Sequence, residues 1–201
     1  MKISYQESSK RLAHIISEIS NPLFVALPTF LVIAFATAPD IPHALLWWVV
    51  AVLGISIAPF LFVLRGVRQG QLSDHHVSVR EQRFIPLLFG LGCMAAAFVL
   101  LYVLGAPQVL IATVTAVIVA CGISLLITRY WKISLHLVGT AGAVTVFALL
   151  FGPRFWLLSP LVIIVGWARW QVRAHTALQA CVGASLAIGV TVGTFWMFSV
   201  L

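Results

Sequence analysis

Charge, and negative charge above all, is scarce in this 201-residue chain. Asp, Glu, Lys and Arg make up only 8% of it, with twelve basic residues against five acidic ones. A soluble domain carries about a quarter charged residues. Because no polar stretch is long enough to enclose a core of its own, the sequence excludes a soluble globular protein and a separate soluble domain.

Cysteine is also scarce, and the three cysteines lie far apart in apolar runs. Cys93, Cys121 and Cys181 are expected to be small buried hydrophobic residues, which excludes a disulfide framework and a thiolate metal site.

Asp40 and Asp74 are the only aspartates. Membrane prenyl transferases need aspartate-rich pairs to hold magnesium diphosphate, so their chemistry is not expected here. A transporter is disfavoured because no charge falls deep within an apolar stretch.

Hydrophobic residues make up 62% of the chain, and its mean hydropathy is +1.09. A spanning helix needs about 20 apolar residues. The stretches that approach this length are 22–38, 43–64, 86–105, 107–128, 134–151, 155–167 and 176–201. The sequence therefore predicts an all-α fold, a polytopic transmembrane helical bundle of about six to seven spans over 22–201. Pro160 is expected to kink or tilt the short sixth stretch.

The residues before this bundle are more polar and predict a different kind of helix. Apolar residues recur on one face of a helix over 4–20, at Leu12, Ile15, Ile16 and Ile19. This spacing is typical of an amphipathic helix that lies in the membrane interface. We expect segment 1–21 to be interfacial and the whole chain, 1–201, to be a single integral membrane domain.

Positive charge falls on one side of the predicted bundle. With seven spans, only Arg154 lies on the side opposite the amino terminus. The eleven other basic residues are Lys2, Lys10, Arg11, Arg65, Arg68, Arg80, Arg83, Arg129, Lys132, Arg169 and Arg173. The positive-inside rule places their side in the cytoplasm, and we expect the inner membrane of a prokaryote. Loops facing anionic lipid account for the net charge of +7, so no nucleic-acid partner is expected.

Three loops on this side carry basic residues together with histidine. They are SDHHVSVREQRFIP over 73–86, RYWKISLHLVG over 129–139 and WARWQVRAHTALQ over 167–179. Their candidate site residues are Arg80, Arg83, Lys132, Ser134, His136, Arg169, His175 and Gln179. The loops converge if the helices bundle around a shared axis. His75 and His76 are not expected to form a metal site, because adjacent histidines rarely ligate one metal together and no acidic cluster joins them.

Several arginines, two or three histidines and few carboxylates suit the hydrolysis of a phosphate ester. Arginine forks bind phosphate oxygens bidentately and stabilise the charge of the transition state. One histidine can attack phosphorus while a second protonates the leaving oxygen. This scheme requires no metal and no other cofactor.

The same loops resemble the motifs of the type 2 phosphatidic acid phosphatase superfamily of membrane lipid phosphatases. Those motifs are K-x-x-x-x-x-x-R-P, P-S-G-H and S-R-x-x-x-x-x-H-x-x-x-D, and the resemblance covers roughly residues 65–195. The third is matched best, since the arginine, histidine and last position keep its spacing, whereas ISLH keeps only the serine and histidine of the second. The matching residues are Arg80 or Arg83, then Ser134 and His136, then Arg169, His175 and Gln179.

The resemblance implies a role for each of these positions. His175 would be the nucleophile that forms a phosphohistidine, Gln179 would orient it, and His136 would be the general acid. The groups that would bind the phosphate are Arg169, Arg83 or Arg80, Ser134, and Lys132 or Arg173 in place of the motif lysine.

Two departures from the family leave the activity open. Gln179 stands at the aspartate position, so it can accept a hydrogen bond from an imidazole N–H but cannot balance an imidazolium. Ala168 stands at the serine position. The sequence thus predicts a metal-independent phosphatase of a lipid phosphate or polyprenyl (di)phosphate. The alternative is a catalytically inactive relative that serves, as a homo-oligomer or with other subunits, as a structural or binding part of a membrane complex.

Overall fold

The computed structural model describes residues 2–200, and this part of the chain is helical with no strand. The helices are α1 (Lys2–Ile19), α2 (Pro22–Thr37), α3 (Ile41–Val52), α4 (Ala58–Arg68), α5 (Phe84–Val103), α6 (Gln108–Tyr130), α7 (Leu135–Phe151), α8 (Ser159–Gln171) and α9 (Ala177–Met197). A π-helical turn, Leu53–Ile57, joins α3 and α4 into one continuous helix, Ile41–Arg68. The predicted all-α fold is confirmed.

The predicted count of six to seven spans is not confirmed. Within the described residues, four helices are long and apolar enough to cross a membrane: Ile41–Arg68, Arg80–Val103, Gln108–Tyr130 and Ala177–Met197. A fifth span exists if α1 and α2, which meet at a bend of 53°, cross together. At 1.5 Å per residue, α8 is only about 20 Å long against a hydrocarbon core of about 30 Å. These lengths are compatible with an integral membrane protein.

The sixth apolar stretch differs from its prediction at its start. Pro153–Leu158 forms a 3₁₀ helix, and the α-helix begins only at Ser159. Pro160 therefore stands in the first helical turn, where its missing N–H costs nothing, and it does not kink the helix.

Helix α1 packs on α8 through small and polar residues and through one residue of its apolar stripe, Ile16, which contacts the cluster of Leu137 and Val165. Ala13 and Ser17 are buried, whereas Leu12, Ile15 and Ile19 are about half exposed or more. The Gln171 side chain donates a hydrogen bond to the Ser9 hydroxyl at 3.0 Å. Leu12, Ile15 and Ile19 are therefore free to contact lipid, while the opposite face brings residues of α1 to one end of the bundle.

The hydrophobic core fills the other end of the bundle. Phe30, Leu101, Leu110 and Phe195 are nearly fully buried in it, and they come from α2, α5, α6 and α9. The Trp47 indole N–H donates to the carbonyl of Leu104 at 3.3 Å, which ties α3 to the turn after α5. The buried arginines and histidines lie instead at the end that carries the three loops.

Glycine at position 183 allows α9 to touch the start of α7. A Cβ there would lie 2.7 Å from the carbonyl oxygen of Ser134, a backbone atom that cannot move aside. Ser134 also donates its backbone N–H to the carbonyl of Gln179. The close approach of the two helices therefore holds the second and third loops in contact with each other.

Gly183→Ala is expected to lower the free energy of unfolding by about 1–3 kcal/mol, the usual range for overpacking a core. Thermal unfolding in detergent micelles measures the effect. Gly189→Ala is the matched control on the same helix, because its Cβ would meet no atom within 4 Å. Equal transition temperatures for the two variants would contradict the close contact.

Candidate active site

The three polar loops lie against one another at one end of the bundle. Arg80 donates to the carbonyl of Tyr130 at 3.0 Å, and Arg83 donates to the carbonyl of Ile133 at 3.1 Å, so the first loop contacts the second. The Ser134–Gln179 backbone hydrogen bond joins the second loop to the third.

This arrangement buries a set of polar side chains, none more than 6% exposed. They are Arg83, Ser134, His136, Arg169 and His175. Lys132 lies half-buried beside them, whereas Arg173 is exposed. Arg80 points away from the set, since its guanidinium pairs with the exposed Glu81 at 2.9 Å. Of the two arginines that the sequence left open, Arg83 is the one in the buried cluster.

The turn after α8 explains why an arginine and a histidine six residues apart come together. Arg173 has a φ of 54°, a left-handed conformation that reverses the chain. The backbone N–H groups of Ala174 and His175 then both donate to the carbonyl of Arg169, at 3.0 and 3.2 Å. The spacing therefore places His175 back over the end of the helix that carries Arg169.

Gln179 fixes the tautomer of His175. Its side-chain oxygen accepts a hydrogen bond from the backbone N–H of Thr176 at 3.2 Å, as part of a capping box that starts α9. A backbone N–H can only donate, so this atom must be the amide oxygen. The same oxygen lies 3.1 Å from His175 Nδ1, which must then carry the proton. His175 Nε2 is left with a free lone pair.

His175 is a neutral imidazole at physiological pH. Burial, together with the positive charges of Arg83, Lys132 and Arg169, lowers its pKa to about 3. A neutral ring with an unprotonated Nε2 is the form of histidine that can act as a nucleophile.

This neutral histidine is expected to make the protein less stable in acid. Because the folded pKa lies below the ordinary value, the unfolded chain binds a proton between about pH 6.5 and pH 3 that the folded chain does not. The contribution of His175 to the free energy of unfolding therefore falls by about 2 kcal/mol between pH 7 and pH 5. The His175→Gln variant should lose correspondingly less stability between pH 7 and pH 5, as measured by thermal unfolding. A variant with the wild-type pH dependence would contradict a neutral, buried His175.

Arg169 is a buried cation with no directly paired carboxylate among the side chains described for residues 7–200. Its Nε has no hydrogen-bond partner, and the carboxylates of Glu18 and Asp74 act on it only from beyond ion-pair distance. The hydroxyl of Ser134 is likewise buried without a partner. Buried charges are normally paired, so these donors and the nearby Arg83 and Lys132 define a site for an anion.

A structured loop holds Arg83 in place. Asp74 accepts hydrogen bonds from the backbone N–H groups of His76 and Ser78, at 2.8 and 3.1 Å. The resulting turn forces Val77 to a φ of 47°, and its carbonyl accepts from Arg83 Nε at 2.8 Å. This role of Asp74 was not predicted, although an aspartate followed by a serine four residues later is a signal for this kind of turn.

His136 contacts α1, a helix that the sequence analysis placed outside the site. Its Nε2 donates to the backbone carbonyl of Ser17 at 3.1 Å, so the neutral ring has its lone pair on Nδ1. The contact was not predictable from the sequence, because the acceptor is a backbone atom 119 residues away.

One acidic residue reaches the two adjacent histidines. No acidic cluster was expected to join them, and a single carboxylate does so: Glu18 of α1 binds His75 and His76 through its two oxygens. No local pattern signals this contact, since the residues lie 57 and 58 positions apart.

An apolar cavity of about 220 Å³ opens from this cluster. His76, Arg83, His136 and His175 line its polar part. Its other lining residues come largely from α2, α5, α6 and α7 and extend to Phe30 and Val146. His136 and Val146 lie ten residues apart on α7, so the cavity follows the helix for about 15 Å.

Comparisons with known proteins found no match for this chain among family models, curated proteins or solved structures. The resemblance to the type 2 phosphatidic acid phosphatases therefore rests on the loop residues and their spacing.

Proposed function

We propose that this protein is a membrane phosphatase that hydrolyses a lipid phosphate or polyprenyl (di)phosphate through a phosphohistidine on His175. One observation carries the proposal: a neutral histidine with a free Nε2 lies within electrostatic reach of the buried guanidinium of Arg169, whose Nε has no hydrogen-bond partner. An anion bound at this guanidinium would therefore lie near the nucleophile that would attack it.

The phosphate group binds where the cations converge. Arg169 and Arg83 donate to its oxygens, the Ser134 hydroxyl adds a further donor, and Lys132 contributes charge at the rim. Two negative charges on the substrate offset the mutual repulsion of these cations. The negative charge of the bound phosphate also lowers the free-energy cost of protonating His136.

In the first step, His175 Nε2 attacks phosphorus, a P–N bond forms, and the P–O bond to the leaving group breaks. Protonated His136 gives its proton to the leaving oxygen from Nδ1, because Nε2 remains hydrogen-bonded to Ser17. In the second step, water attacks phosphorus and gives its proton to His136, and the P–N bond breaks. The products are the alcohol, or the monophosphate from a diphosphate, and inorganic phosphate.

The cavity supports a lipid substrate rather than a soluble phosphate ester. It begins at the polar cluster and continues along α7 between apolar side chains. An acyl or prenyl chain would lie there, with its headgroup at His175. Burial of such a chain contributes roughly 25 cal/mol per Å² of apolar surface.

Phosphate release by the purified protein, with EDTA present, tests the proposal. The panel comprises phosphatidic acid, phosphatidylglycerol phosphate and prenyl diphosphates, with His175→Ala as the control. Release that requires His175 is the expected result. Absence of release for every lipid, or equal release by wild type and His175→Ala, would overturn the proposed phosphatase.

A second candidate function is the binding of an anionic lipid without turnover. The observation in its favour is Gln179, which caps α9 and fixes the tautomer of His175 but brings no negative charge to stabilise a cationic intermediate. Stable binding of the panel lipids without phosphate release, together with co-purifying membrane subunits, would support this function over the first.

A further inference from the structure

We propose that Glu18, His75 and His76 bind a divalent transition-metal ion of the Zn²⁺ class. His75 Nε2 lies 3.1 Å from one oxygen of the Glu18 carboxylate, and His76 Nε2 lies 2.9 Å from the other. The candidate ligand atoms all lie within 4.8 Å of one another. This site lies outside the phosphate chemistry and goes beyond the proposed function.

The ligand spacing is close to that of a zinc site. Zn²⁺ binds histidine nitrogen and carboxylate oxygen at about 2.0–2.2 Å, which separates tetrahedral ligands by about 3.3 Å. The two nitrogen–oxygen distances differ from this by a few tenths of an ångström. Two histidines and one carboxylate leave a fourth position for water, as in three-ligand zinc sites.

The donor set selects among metals. Imidazole nitrogen suits Zn²⁺, Co²⁺, Ni²⁺ and Cu²⁺, whereas Mg²⁺ and Ca²⁺ prefer sites made of oxygen. The one carboxylate ligand also lowers the net charge of the bound ion by one, which matters beside the cations of the anion site. We therefore expect Zn²⁺ or Co²⁺ to bind and Mg²⁺ not to compete.

The ligands come from two elements that are each anchored independently. Asp74 holds the backbone of His76 and Ser78 in a fixed turn. Helix α1 is held by the Ser17–His136 and Ser9–Gln171 hydrogen bonds. The side chains thus need little reorganisation to bind an ion, which lowers the entropic cost of forming the site.

The bound ion would cross-link α1 to the loop between α4 and α5. His75 and His76 both line the cavity, and the ring of His76 lies 5.3 Å from that of His136. The metal would therefore hold α1 in place across the polar part of the cavity, with no role in the transfer of phosphate.

Cobalt binding to the full-length chain tests the site. Untagged protein in detergent is stripped with a chelator, dialysed and titrated with Co²⁺, whose visible d–d absorption reports coordination. One Co²⁺ per chain, displaced by Zn²⁺ and not by Mg²⁺, is expected. Glu18→Gln and His75→Asn should each weaken binding by at least about a hundredfold, since each removes one of three protein ligands.

His43→Asn is the matched control, because His43 also pairs with a carboxylate, Asp40, but with no second histidine. It should bind Co²⁺ like wild type. A second readout, the rise in unfolding temperature with Zn²⁺, should occur in wild type and His43→Asn and vanish in Glu18→Gln. Wild-type affinity in Glu18→Gln, or no stoichiometric Co²⁺ site in wild type, would overturn the proposal.

Discussion

Arg169→Met is expected to slow phosphate release sharply and yet to stabilise the protein in the absence of substrate. The guanidinium is 3% exposed and forms no ion pair with the side chains described for residues 7–200, and burial together with repulsion by Arg83 outweighs the attraction of Glu18 and Asp74, so that its pKa is lowered to about 10. Replacing a buried ionic group with an apolar side chain of similar size stabilises proteins by about 1–4 kcal/mol in favourable cases. Loss of one donor to the transition state should lower the rate by about 10²–10³-fold.

Thermal unfolding with and without orthovanadate, a phosphate analogue, separates the two effects. Vanadate should raise the unfolding temperature of the wild type and leave that of Arg169→Met unchanged. Arg173→Met is the control, because Arg173 lies in the same loop but is exposed. A destabilised Arg169→Met protein that still responds to vanadate would contradict an anion site at Arg169.

His175→Asn is expected to remove the covalent intermediate and to lower turnover by at least about 10³-fold, as the loss of a nucleophile does. Brief reaction of wild-type protein with a ³²P-labelled lipid, followed by denaturation, should leave label that is stable in base and released by acid, as a phosphoramidate is. The variant should carry none.

His14→Asn controls for the loss of a histidine elsewhere, because His14 is exposed on α1. It should label and turn over like wild type. Labelling of His175→Asn at the wild-type level would assign the nucleophile to another residue.

The apolar stretches of the sequence predicted where the helices lie. They did not predict which helices are long enough to span a membrane. The apolar stretch 107–128 corresponds to Gln108–Tyr130, because glycine and proline end the preceding helix. By contrast, 155–167 is apolar throughout, yet its first residues form a 3₁₀ turn. Hydropathy reports which residues avoid water, and it carries no information on which hydrogen-bonding pattern the backbone adopts.

Within the site, the sequence predicted which side chains would meet but not how they are held. Arg80 and Arg83 could not be separated, since only the 3₁₀ turn between them directs one outward and the other inward. The contributions of Ser17 and Glu18 depend on where α1 docks, which local residue patterns do not encode. Gln179 was read as a loss of charge, whereas the structure also shows it capping a helix.

That cap makes the chemistry depend on one of the weakest parts of a helix, its first turn. The amide oxygen of Gln179 both closes the start of α9 and keeps the proton of His175 on Nδ1. When this turn frays, the imidazole is free to move its proton to Nε2, and the lone pair needed for attack is lost. On warming, the proposed phosphatase activity would therefore be lost while the helices are still folded, and cooling would restore it.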